Sequence, residues 1–172
     1  VSALDKKRVL VLCHGNIMRS PIAAALLERS GLFRVRQAGL NQNMKEGKPT
    51  AKKCRDAANS LYGLDLSDHR SRKVTSDDLQ WADIIFFMDN GNEKRLDYAM
   101  KQALCHTSQS LTRVYRLSDW QTPGKHIPQI KKVTDPAWLK KDSEEFWWVM
   151  RFIGECCENY IAMCKNLTQE AE

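Results

Sequence analysis

In the stretch Cys13-His14-Gly15-Asn16-Ile17-Met18-Arg19-Ser20, five residues separate a cysteine from an arginine, and a serine follows directly. A thiolate is a strong nucleophile, and a guanidinium offers forked N–H donors that match the oxygens of a phosphoryl group. Gathered round one tight loop, these side chains could attack phosphorus with sulfur while holding the phosphoryl oxygens. The loop's backbone N–H groups would add a ring of donors for the same anion, and such donors also stabilise a sulfur anion. Gly15 would let the backbone turn tightly toward it. The Gly-Lys-Ser/Thr ending of a nucleotide-binding loop is missing, which disfavours ATP and GTP. Alone, this spacing also fits a small buried cysteine and a surface arginine. The flanking elements make it specific.

Before the loop, Val9, Leu10, Val11 and Leu12 form a continuous apolar run that suits a strand covered on both faces. After it, Ser20 and Pro21 read as a helix start, since serine caps free N–H groups and proline tolerates the first helical position. Ile22, Ala23, Leu26 and Leu27 give that helix an apolar face. The loop thus lies where a strand delivers the chain to a helix N-terminus, a physical site for an anion. Further on, a second strand is expected from Phe33 to Ala38, closed by Gly39, then a polar loop from Asn41 to Pro49 and a helix from about Thr50 to Tyr62. Thr75 and Asp78 fit a capping box. Ala82 to Asp89 reads as a buried strand, Asn92 to Leu104 as a helix, and Arg113 to Leu117 as a fourth strand. From Asp142 onward, Phe146, Val149, Ile153, Cys157, Tyr160, Ile161 and Cys164 recur at helical spacing. This alternation predicts an α/β fold: an open parallel sheet of about four strands with helices on both faces and the anion loop after the first strand.

A chain of 172 residues with 42% hydrophobic content can bury one core, and no Pro/Gly/Ser-rich linker divides it. One domain over residues 1–172 is expected, with 1–7 a flexible N-terminal extension. No apolar run is long enough for a membrane span and no signal-peptide core follows the first residues, so a cytoplasmic protein is expected. The six cysteines (Cys13, Cys54, Cys105, Cys156, Cys157 and Cys164) then read as reduced thiols rather than a disulfide framework. No Cys-x-x-Cys or paired-histidine spacing occurs, so neither a metal nor a cofactor is expected. The net charge of +6 is spread over short clusters without an aromatic-basic motif, which argues against nucleic acid and suits anionic substrates.

The stretch from Val9 to Glu28 resembles the signature of the low-molecular-weight protein tyrosine phosphatases. The resemblance continues through His69 to Leu96 and in Thr134-Asp135-Pro136-Ala137-Trp138. It implies metal-free hydrolysis of phosphotyrosine in proteins through a cysteinyl-phosphate intermediate. Cys13 would be the nucleophile and Arg19 the clamp on the transition state. Ser20 would assist the thiolate, Asn16 with His69 would hold the loop in shape, and His14, Gly15, Ile17 and Met18 would complete the phosphate cradle. Asp135 would protonate the leaving phenolate and then activate water, with Trp138 as an aromatic wall. An acid on a separate segment fits this chemistry, because the leaving oxygen departs on the side of phosphorus opposite the sulfur. Asp89 either helps to position the loop or ends a strand, and stays outside the catalytic set.

The chain departs from the family pattern at several positions. Met18 stands where a second cysteine is common, and His14 where an aliphatic or small residue is usual. Ala137 and Trp138 replace a frequent tyrosine pair, and Leu40 to Glu46 lacks an aromatic that often lines the cleft. Ile17 looks like the family's phosphotyrosine-type residue, whereas threonine there would point to phosphoarginine. Two rival functions share parts of this pattern. A thiol-dependent arsenate reductase needs redox cysteines after the third strand, where Asp89 to Leu104 has none. A non-catalytic phosphoprotein-binding module would be expected to lack the nucleophile or the acid.

Overall fold

The apolar run Val9–Leu12 lies in the middle of strand β1 (Lys7–Cys13), and all four side chains are fully buried. Alternation sends Val9 and Val11 to one face of the sheet and Leu10 and Leu12 to the other, each packed in its own hydrophobic cluster. Full burial of such a side chain is worth roughly 1.5–3 kcal/mol, so this strand anchors both layers. The computed structural model describes residues 6–104, 112–126 and 129–169.

β1 pairs in parallel with β2 (Phe33–Gly39) from Lys7 opposite Phe33 to Cys13 opposite Gly39. On its other side it pairs in parallel with β3 (Ile84–Phe87), which in turn pairs with β4 (Arg113–Arg116). The order is β2-β1-β3-β4. Helices α1 (Arg19–Arg29), α2 (Lys52–Tyr62) and α5 (Glu144–Gln169) form one layer, while α3 (Ser76–Trp81) and α4 (Asn90–Leu104) form the other. The expected parallel sheet with helices on both faces is the fold observed. No described helix is long and apolar enough to cross a membrane.

Lys7, expected in a flexible extension, is the first residue of β1, whereas residues 1–5 lie outside the described residues, as does Cys105. Helix α1 begins at Arg19 rather than at a Ser20 cap; Met18 occupies the cap position and makes no side-chain cap bond. The Ser20 hydroxyl is used elsewhere. The third strand is shorter than its apolar run because Ala82 ends α3 and the Asp89 carboxylate turns to accept the Asn92 N–H at the start of α4. Leu117 leaves the fourth strand to open a 3-10 turn. The Thr75–Asp78 capping box is present, and Asp78 also binds Arg72 and Arg36. Along α5, Phe146, Val149, Ile153, Cys157 and Tyr160 are buried as expected, and Ile161 and Cys164 are half-buried.

Candidate active site

The carboxyl end of β1 places Cys13 at the floor of the loop, only 2% exposed. Its sulfur receives the Asn16 N–H at 3.2 Å and lies 3.1 Å from the Ser20 hydroxyl. The Asn16 side-chain amide donates to the Ser20 oxygen at 3.0 Å, which leaves the hydroxyl proton free to point at sulfur. Two donors therefore converge on Cys13 where α1 begins, and both would favour a sulfur anion.

Asn16 carries the sharp turn of the loop. Its φ of 54° lies in the left-handed region, which asparagine tolerates better than most residues. Gly15 has no positive φ, and a Cβ there would meet Ile17 only at an ordinary 3.7 Å, so the tight turn expected at Gly15 is made by Asn16 instead. Fully buried, Asn16 bonds at every polar atom. Besides Cys13 and Ser20 it donates to Gln37, accepts the Arg72 N–H, and takes at its carbonyl the His69 ring N–H at 2.6 Å. Burial lowers the His69 pKa, against the opposing effect of that carbonyl, and so favours the neutral ring. The His69 ring thus bonds the loop at the carbonyl of its turn residue. Gln37 and Arg72, which share the task, carry no local signal, since each acts through a contact made across the fold.

Arg19 is 2% exposed and is held from three segments. One terminal nitrogen donates to Asp89 at 2.5 Å and to the Val133 carbonyl at 2.9 Å, and the other reaches Asp135 at 3.2 Å. Burial works against the Asp89 carboxylate, but Arg19 and the N–H groups of Asn92 and Gly91 outweigh it and set its pKa below the ordinary value. Asp89, not among the expected catalytic residues, is thus the standing counter-ion of Arg19. Asp135 is the half-exposed partner, and accepts the Ala137 N–H at the start of a 3-10 turn, Pro136–Trp138.

A further residue went unread in the sequence. The Lys53 ammonium, on α2, donates to the carbonyls of Pro136 (2.6 Å), Ala137 (3.2 Å) and Leu139 (2.7 Å), tying down the segment that carries Asp135. The start of α2 is itself joined to the loop, because the Ala51 N–H donates to the Ile17 carbonyl. Cys54, fully buried beside Lys53, has its pKa pushed up to about 12, mainly by burial, with Cys13 and Asp135 adding to the rise against Lys53.

The remaining expected residues are placed less centrally. His14, Gly15, Ile17 and Met18 are half-buried along the loop. The His14 Nε2 lies 3.2 Å from the Asn41 amide nitrogen, which can only donate, so the ring accepts there and faces Asn41. Trp138 is 94% exposed and lines no wall among the described residues. None of the described residues forms a cluster able to hold a metal ion. The arrangement of a thiol with two donors, a buried guanidinium and a half-exposed carboxylate beside it suits transfer of a phosphoryl group to sulfur.

A family model described as low molecular weight phosphotyrosine protein phosphatase matches residues 8–172. The low molecular weight protein-tyrosine-phosphatase Ptp of Acinetobacter johnsonii is 31% identical over 124 residues, 71% of this chain and 78% of that protein. A solved protein tyrosine phosphatase from Entamoeba histolytica, with Hepes in its active site, has a TM-score of 0.74 at 26% identity, covering 95% of this chain and 99% of that one. The YwlE arginine phosphatase from Geobacillus stearothermophilus shares the fold, with a TM-score of 0.77 at 20% identity over 96% of this chain and 97% of that one.

Proposed function

The chain belongs to the low-molecular-weight phosphotyrosine protein phosphatase family, and from that membership we propose that it hydrolyses phosphotyrosine in proteins in two steps through Cys13. In the first step the Cys13 sulfur attacks phosphorus, the P–O bond to tyrosine breaks, and Asp135 gives its proton to the departing oxygen. In the second, Asp135 takes a proton from water, the water oxygen attacks phosphorus, and the S–P bond breaks to release phosphate and the thiolate. Arg19 binds two phosphoryl oxygens throughout, and the Ser20 hydroxyl and Asn16 N–H stabilise sulfur as attacker and as leaving group.

The single observation that supports this reading is the 3.2 Å contact between Arg19 and Asp135, residues 116 apart in the chain. Asp135 occupies one donor of Arg19. An incoming phosphoryl group takes that donor and leaves Asp135 facing the outer, leaving-oxygen side. Ile17, half-buried in the loop, favours the tyrosine ester over phosphoarginine. The free thiols at Cys13, Cys54, Cys156, Cys157 and Cys164 support a reducing compartment such as the cytoplasm.

Hydrolysis of phosphotyrosine and phosphoarginine peptides in the presence of a chelator tests the reading. Turnover of the tyrosine ester, abolished in Cys13→Ser but with phosphate binding retained, is expected. Substantial turnover by Cys13→Ser would overturn the covalent mechanism, and preference for phosphoarginine would overturn the substrate.

A further inference from the structure

Beside the loop, a groove of about 690 Å³ runs between α4, α3 and the segment after β2. Two of its lining residues touch the phosphate site's own scaffold. Asn41 bonds His14 through its side chain and the His14 carbonyl through its N–H, and Gly91 follows two residues after Asp89, whose carboxylate holds Arg19. The groove therefore opens at the same end of the sheet as Cys13. From Gly91 its α4 wall descends through Lys94, Arg95 and Tyr98 to Gln102, a spacing of three and four that keeps them on one stripe. Eleven residue-to-residue steps of helix make it about 16 Å long. That is the length of roughly five residues of extended chain.

Charge is sorted across α4. Lys94 and Arg95 line the groove, no acidic residue does, and neither enters an ion pair among the described residues. The acids Glu93 and Asp97 lie on the opposite side, over β4, where Glu93 pairs with Arg116. The groove thus presents two unneutralised cations with Leu79 and the exposed Tyr98 ring as apolar walls. We propose that it is a second substrate subsite, which binds the extended chain on one side of the phosphotyrosine and selects an acidic side chain for Lys94 and Arg95. This rests on the phosphotyrosine reading above.

Peptides with one glutamate scanned over the five positions on each side of phosphotyrosine, against an all-neutral peptide and free phosphotyrosine, test it. For the unaltered enzyme, glutamate at one or two positions on one side should raise kcat/KM about five- to tenfold, through KM and more strongly at low salt. Lys94→Glu with Arg95→Glu should remove that preference and leave kcat/KM on free phosphotyrosine within twofold. No position effect, or an equal loss on every substrate, would overturn the subsite. The same peptides carrying a non-hydrolysable phosphonate, followed by fluorescence anisotropy, read the groove without turnover. Binding that keeps its acidic preference while free phosphotyrosine is not hydrolysed would refute the reaction and leave the subsite standing. A dimer in sedimentation that the double variant dissolves would assign the groove to a second copy of the chain and overturn the proposal.

Discussion

Replacing Lys53 by methionine keeps the length and packing of the stem but removes the ammonium that grips the Asp135 segment. Each bond from a charged donor is worth about 1.5–3 kcal/mol net when buried. Lys53 is half-buried and water competes for its three carbonyls, so the grip as a whole is taken as about 2 kcal/mol. If that free energy is drawn on whenever Asp135 must be in place, its loss lowers the acid-dependent rate by up to roughly 30-fold. The effect should depend on the leaving group. An aryl phosphate whose phenolate leaves readily needs little protonation, whereas phosphotyrosine needs it fully. The comparison belongs on kcat/KM, which covers transfer to sulfur; kcat also contains dephosphorylation, where Asp135 acts as base and every substrate shares the same intermediate. Across a series of aryl phosphates, Lys53→Met should lose less than twofold on the best leaving group and roughly 5- to 30-fold on the poorest, making the leaving-group dependence steeper. Lys53→Arg, which keeps charge and donors, should restore most of the loss. A uniform loss across the series, or none, would refute the assignment of Lys53 as a positioning residue for Asp135.

His14→Leu should leave the pH dependence of Cys13 alkylation unchanged, because the His14 Nε2 is taken up by the Asn41 amide; a displaced curve would show that it acts on the thiolate. A Cβ at Gly154 would collide with the Tyr62 ring, which packs α2 on α5 and bonds the Met150 carbonyl. Gly154→Ala should therefore lower stability by about 1–3 kcal/mol in denaturant titration with little change in kcat. Glu155 is held down to about 2: burial opposes its charge, but Lys125, the Thr122 N–H and His126 outweigh it. A depressed carboxylate stabilises the fold above its unfolded value and loses that contribution as pH falls through the folded one. Glu155→Gln should thus cost up to about 3 kcal/mol at neutral pH, a difference from the unaltered protein that shrinks from about pH 4.5 toward pH 2 in acid unfolding.

What the chain alone determines here is local. Val9–Leu12 can be buried only from both faces, Thr75 and Asp78 satisfy each other within one turn, and a loop between a buried strand and a helix start is an anion site wherever it occurs. Each follows from residues a few positions apart, so periodicity and backbone geometry suffice. Asp135 had no such signal, since Asp-Pro is a common turn pair and its reading came only from likeness to a family. The tertiary structure decided which groups meet. It brought Asp89 and Asp135 to Arg19 over separations of 70 and 116 residues, set Gln37, Arg72 and His69 around Asn16, and laid Lys53 across the acid segment. It also moved the tight turn from Gly15 to Asn16 and put Met18 rather than Ser20 at the helix cap. These outcomes depend on the order β2-β1-β3-β4 and on how each crossover seats its helix. A buried polar atom must be satisfied by whatever the packing brings within about 3 Å, and that neighbour is chosen by the fold rather than by the residues beside it in the chain.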